Sequence, residues 1–308
     1  MGLLKDIWRV GLLPSPIESV LRRGEIPSGP ATWLPNPGPL AFYADPFGIS
    51  LDKKIYLFVE RYDYYDRHGI IDVFTLDSSF NILDRRPALV EPWHLSYPYV
   101  FEHDGEFYLL PEAFQSGGVT LYRADRFPDR WSAVARFELD AAPIDATPLF
   151  YEGRWWLFYA PHHPEAAKTR ALHLAFADSL FGPWRVHPGN PVRYDVASAR
   201  PGGVVSLSDG GPVLPVQDCT FTYGGGLRPL VITRLTPHDF AATAGPPLRT
   251  PADWRPFSAM HTLSGTGEVT FVDAKRRIMT ADSVRLDLGR QTSRLATKFA
   301  GLAERRPS

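Results

Sequence analysis

Short apolar and aromatic runs, each closed by a polar turn, dominate the chain. In "YPYVFEHDGEFYLLPE" (97–112) two such runs flank Asp104-Gly105. Both central residues of a tight hairpin take φ > 0, which Asp-Gly tolerates, and aromatic and β-branched residues suit a pleated sheet. The stretch therefore predicts a β-hairpin. The same plan returns in "ADPFGISLDKKIYLFVE" (44–60) and "IDATPLFYEGRWWLFYA" (144–160), with turns at Asp52-Lys53 and Glu152-Gly153. "ARPGGVVSLSDGGPVLPVQ" turns at Asp209-Gly210, and a weaker fifth copy, "MHTLSGTGEVTFVDAKRRIMTA", predicts a turn near Asp273.

The copies share a frame. Seven residues before the first three turns stand Asp45, Tyr97 and Asp145, and eight residues after them stand Glu60, Glu112 and Ala160. The fourth copy reaches Gln217 at the same spacing, with Arg200 at its head, and His261 heads the fifth. Third-strand candidates such as "IIDVFTLDSSF" and "LVITRLTPHDF" follow most hairpins. A period of about 50 residues matches the size of a propeller blade. The expected fold is all-β, a five-bladed β-propeller over 39–288. A helical lead-in is expected over 1–38 and an amphipathic helical tail over 289–308.

Successive strands of a blade are antiparallel, so the start of the first and the end of the second share one edge. Asp45, Tyr97, Asp145, Arg200 and His261 are then expected to ring one mouth of the central channel. Glu60, Glu112, Gln217 and Asp218 are expected just behind them. The copies agree in frame and differ at these positions, where carboxylates, Arg and His collect.

Composition narrows the partners. A formal net charge of −1 carries no electrostatic footprint for nucleic acid. The single cysteine, Cys219, excludes an internal disulfide and a Cys-based zinc site. His162-His163 lack spaced ligand partners, so neither a metal nor a cofactor is expected. "MGLLKDIWRVGLLPSPIESV" interrupts its apolar run with charges, unlike a signal peptide, and no run nears 18 apolar residues. A cytoplasmic location is the expectation. In the tail, Leu288, Leu295, Phe299 and Leu302 share one helical face beside Arg290, Arg294, Lys298 and Arg305. That face suits either packing on the propeller or peripheral contact with an anionic membrane or a glycosyltransferase.

"YADPFGI" and "ADSLFGPWRVHPGNPV" resemble the five-bladed glycosidase superfamily that includes glycoside hydrolase family 43. "WRVGLLPSP", "YPYVFEHDGEFYLLPE", "LYRADRFPDRW", "ARPGG", "VQDCTFTYGGGL" and "MHTLS" resemble, in order, the N-terminal domain of plant glucosamine inositolphosphorylceramide transferases. The resemblance implies a carbohydrate substrate and makes Asp45 the general base. It departs from the family pattern at Tyr97 and Arg200, where further inner-strand carboxylates would stand.

The expected catalytic set is Asp45, Asp145 and Glu112, with Tyr97, Arg200, Asp218, His261 and Glu60 contacting the sugar. Arg200 suits either a bidentate ligand contact or an ion pair with Asp145. Glu112 suits either an ion pair with Arg200 or the acid role. His261 suits either a satisfied core position or catalysis. The expected activity is cleavage or transfer of a glycosyl group by paired carboxylates. A non-catalytic sugar-binding propeller that scaffolds glycan assembly is the alternative.

Overall fold

The computed structural model describes residues 4–290 except 30, 209 and 258. Five antiparallel sheets stand in a ring. The first blade runs from Ala41–Leu51 through Lys54–Asp63 and His68–Asp77 to Ile82–Leu89; the second runs from Ser96–His103 to Arg130–Phe137. The third opens on Pro143–Tyr151 and the fourth on Ser206–Ser208. These are the predicted five blades.

The first three hairpin turns lie where the pattern placed them. Their central residues are left-handed, with φ of 51° and 62° at Asp52-Lys53, 52° and 77° at Asp104-Gly105, and 51° and 73° at Glu152-Gly153. In the fourth, Ser208 pairs with Gly211 across the turn, and Asp209 itself falls outside the described residues.

The fifth turn differs from the expectation. Thr266 pairs with Val269, so Gly267-Glu268 is the turn, with Gly267 at φ 53°. Asp273 lies inside the strand Val269–Ile278 and is fully buried. Counting eight residues from Gly267 now brings Lys275 to the position held by Glu60, Glu112 and Gln217.

The stretch expected as a lead-in supplies two strands of that blade. Lys5–Leu13 pairs antiparallel with Val269–Ile278 along its whole length, from Lys5 opposite Ile278 to Leu13 opposite Thr270. Thr32–Trp33 then forms the outer edge. Alternation in "KDIWRVGLL" explains it: Val10 and Leu12 pack towards Leu57, Phe74 and Phe271, while Leu13 packs with Ile17 and Val20 on the other side. The two ends of the chain thus close the ring. Within the expected helical lead-in, one short helix is present over Ile17–Arg23, with Pro16 at its N-cap and Gly24 left-handed at its end.

A further helix covers 281–290. Its start is tied reciprocally, Ser283 Oγ accepting from the Thr280 N–H (2.9 Å) and Thr280 Oγ1 from the Ser283 N–H (3.1 Å). Asp287 holds it to the propeller through a buried ion pair with Lys5 at 2.7 Å. The expected contacts of Leu295, Phe299 and Leu302 lie outside the described residues.

Candidate functional site

Three inner strands carry the same irregularity. Pairing slips between Ala44 and Phe47, between Ser96 and Tyr99, and between Ile144 and Thr147. Each bulge contains a non-glycine residue at positive φ: Asp45 (49°), Tyr97 (45°) and Asp145 (51°). Such conformations cost on the order of 1–3 kcal/mol each and persist only where the surroundings fix them. Here the N–H of each bulge residue donates to a carboxylate of the preceding blade. Asp45 N–H reaches Asp273 (3.1 Å), Tyr97 N–H reaches Asp45 (3.2 Å) and Asp145 N–H reaches Glu112 (3.2 Å). The acids at the channel mouth therefore also bind neighbouring blades together.

One pocket of about 280 Å³ opens at this mouth, lined by Asp45, Glu60, Glu112, Asp145, Arg200 and His261 with Trp8, Tyr62, Tyr64 and Tyr223 among the aromatics. Six of the eight expected site residues thus meet. All six are buried.

The other two go elsewhere. The Tyr97 phenol crosses the channel, where it accepts the Gly203 N–H at 2.7 Å and shares a 2.9 Å bond with Thr147. It is fully buried and does not line the pocket, because the bulge turns its side chain into the channel. Asp218 lies past the strand end, paired with Arg228 at 2.9 Å, in a separate cleft beside Phe221 and Met260. Tyr97→Phe checks the first point. It leaves a buried N–H unmatched, at a cost of about 1–3 kcal/mol. A calorimetric melt is expected to fall while affinity for any sugar ligand stays unchanged; the reverse result would return Tyr97 to the pocket.

His261 is held on every side. Its Nδ1 is 2.6 Å from Asp273 Oδ2 and its Nε2 is 3.6 Å from Asp45 Oδ1. Trp8 stacks on its ring at 3.7 Å with 11° between planes. Burial pulls the imidazole down, but Asp273 and Asp45 outweigh it and raise its pKa. Asp45 is pushed up to about 6 by burial, moderated by His261. Asp273 was not foreseen as a site residue. Its own signal was available: in "VTFVDAKRRI" it sits inside an alternating strand, after a better turn at Gly267.

Asp45, His261 and Asp273 each offer a ligand atom within 4.8 Å of the others, a spacing that suits a metal ion. The carboxylates of this set are already engaged by protein donors. Asp273 accepts the N–H groups of Asp45, His261 and Thr262, while Asp45 accepts the Tyr97 N–H and the Thr262 hydroxyl.

On the opposite wall Arg200 Nε donates to Asp145 at 2.6 Å, and Gln217 Nε2 donates to the same oxygen at 2.8 Å. The ion-pair reading of Arg200 is therefore the observed one. Arg200 also stacks on Tyr223, 4.8 Å from the ring centre. Burial and then the Asp145 charge push Glu112 well above the usual carboxylate range, against the pull of Arg200. Glu60 is raised in the same way, by burial first and then Asp45. Its neighbour His94, 3.5 Å away, is lowered to about 4 by burial, so it supplies no charge at neutral pH. Lys275 lies 5.1 Å above the Trp8 ring, next to Asp6. Trp8 and Tyr223 escaped the sequence reading, since neither falls in a hairpin frame.

Comparison with known proteins identifies the family and the fold. Glucosamine inositolphosphorylceramide transferase 1 of indica rice is 35% identical over 208 residues, covering 66% of this chain and 28% of that protein. The enzyme of the same name from Arabidopsis thaliana is 34% identical over 206 residues, covering 66% and 27%. The chain thus spans less than a third of the length of these relatives. Among solved structures, a family 117 glycoside hydrolase of the marine bacterium Zobellia galactanivorans superposes with a TM-score of 0.53 at 15% identity, covering 79% of this chain and 86% of that one. An α-L-arabinofuranosidase of Podospora anserina gives 0.58 at 12% identity, covering 79% and 93%. These two share the fold. Residues 33–248 match the family model of the N-terminal region of glucosamine inositolphosphorylceramide transferase 1, and the chain belongs to that family.

Proposed function

We propose that the pocket at the channel mouth binds a sugar and cleaves or transfers its glycosyl group, with Asp45 as base or nucleophile and Glu112 as acid. One observation carries the reading: buried carboxylates with opposed surroundings line a single aromatic-walled pocket. Asp45, at about 6, is largely ionised at neutral pH. Burial and then Asp145 raise Glu112 well above the usual carboxylate range, which favours its neutral form. Two carboxyl groups driven towards different protonation states are what glycosyl chemistry uses. Arg200 and Gln217 fix the Asp145 carboxyl beside Glu112, and that neighbour is one of the causes that raise Glu112. Half-buried Tyr62 and Tyr64 in the wall give the sugar ring aromatic surface to pack on. The names of the relatives and of the fold neighbours are consistent with a carbohydrate ligand.

A screen of glycosides and activated sugars with product detection tests the reading, with Glu112→Gln as its informative variant. A general acid matters most when the leaving group is poor. The variant is expected to lose 10²–10⁴-fold on alkyl glycosides. On nitrophenyl glycosides, whose leaving group needs no proton, most activity is expected to remain. Equal losses on both would remove Glu112 from the acid role. Tyr97, where a further carboxylate would stand in the glycosidase pattern, favours the second reading, a binding propeller. Sugar binding without turnover across the screen would establish it.

A further inference from the structure

A second pocket of about 280 Å³ adjoins the first and shares Asp6, Tyr62 and Tyr64 with it. Its character is opposite. Lys5, Arg67, Arg277 and Arg290 line it against a single carboxylate, Asp6. That carboxylate is already divided between Arg277 (3.0 Å) and Lys275 (3.2 Å). Asp287 answers Lys5. Arg290 donates through Nη2 to the carbonyls of Tyr64 and Tyr65, which fix its guanidinium without neutralising it. Arg277 is steadied by the Thr222 hydroxyl at 2.8 Å, yet its side chain is 55% exposed. Among the described residues its lining carries four cations, and three of the four are arginines, whose planar fork matches phosphate oxygens.

We propose that the second pocket takes a phosphate group carried by the sugar that occupies the first. The inference rests on the sugar-pocket reading and adds the class of substrate, a phosphorylated sugar. The shared wall of Tyr62 and Tyr64 lets one ligand span both, with its ring over the aromatics and its phosphate among Arg67, Arg277 and Arg290. A free sugar phosphate and a lipid-linked one present the same chemistry here.

Calorimetric titration decides it. The probes are neutral methyl hexosides, the hexose 1- and 6-phosphates, inorganic phosphate, and vesicles carrying a lipid-linked hexose phosphate. At least one phosphorylated sugar, free or on vesicles, is expected to bind tenfold or more tightly than its neutral parent. The advantage is expected to shrink with added salt, as it does for exposed charges. Arg67→Gln/Arg290→Gln is expected to erase the advantage while neutral-sugar affinity holds; Arg67→Gln alone, on a turn, serves if the double variant loses its melting transition. Preference for vesicles over the free sugar phosphate, or the reverse, identifies the source and supports the proposal either way. Neutral and phosphorylated sugars binding alike, or an advantage that survives both variants, overturns it and leaves the sugar pocket standing. Arginine-dependent binding of inorganic phosphate with no sugar bound upholds the anion pocket and removes the sugar reading instead.

Discussion

Deletion of residues 4–13 is expected to abolish cooperative folding. The strand Lys5–Leu13 pairs with Val269–Ile278 at nine positions and is the third strand of the fifth blade. It buries Ile7, Trp8, Val10, Leu12 and Leu13 almost completely. At about 1.5–3 kcal/mol for each large apolar side chain, the gross loss is about 7–15 kcal/mol. Whole domains are stable by about 5–15 kcal/mol, so nothing is left over. The deletion also strips the pairing edge from Val269–Ile278, and a bare hydrophobic edge recruits other chains. Circular dichroism of the truncated protein is expected to show a broad, non-cooperative melt with aggregation. A sharp transition within about 10 °C of the full chain would mean that the other four blades hold the ring unaided. Trp8 leaves with the same segment, so the stack on His261 disappears even if some β-structure survives.

This dependence on the N-terminal strand shows where the sequence was legible. The hairpins at Asp52, Asp104 and Glu152 could be read because each turn puts a left-handed residue pair at the centre of an aromatic frame. That frame also located Asp45, Glu60, Glu112, Asp145 and Arg200, since position within a strand fixes the edge at which a residue lies. It could not say which way a side chain points at a bulge. Tyr97 holds the place of Asp45 and Asp145 in its own blade, yet its longer side chain runs down the channel to Gly203. The fifth blade was misread because "VDAKRR" has the composition of a turn. Asp273 is instead buried and satisfied by three N–H groups and His261. Closure by Lys5–Leu13 was out of reach for the same reason as Trp8: pairing partners some 265 residues apart leave no local period.

Asp45→Asn is expected to lower turnover 10²–10⁴-fold, the usual cost of removing a base. The change keeps shape and the Thr262 contact but sets an amide NH2 against the Tyr97 N–H, which loses its acceptor at about 1–3 kcal/mol. Melting is therefore expected to fall, with the cooperative transition retained. The pH profile separates chemistry from damage. Asp45 acts when ionised, so the wild-type rate is expected to rise as pH passes about 6. Glu112 acts when protonated, so the rate is expected to fall as pH rises through its raised pKa. The result is a bell whose acid limb depends on Asp45. Stability runs the other way: both acids bind more protons folded than unfolded, so it declines as pH rises from about 4 through their folded values. Residual activity of Asp45→Asn is expected to lack the acid limb, and Glu112→Gln the alkaline one. An Asp45→Asn protein with wild-type turnover and an unmoved profile would take Asp45 out of the chemistry and leave it the structural task of tying the first blade to the second.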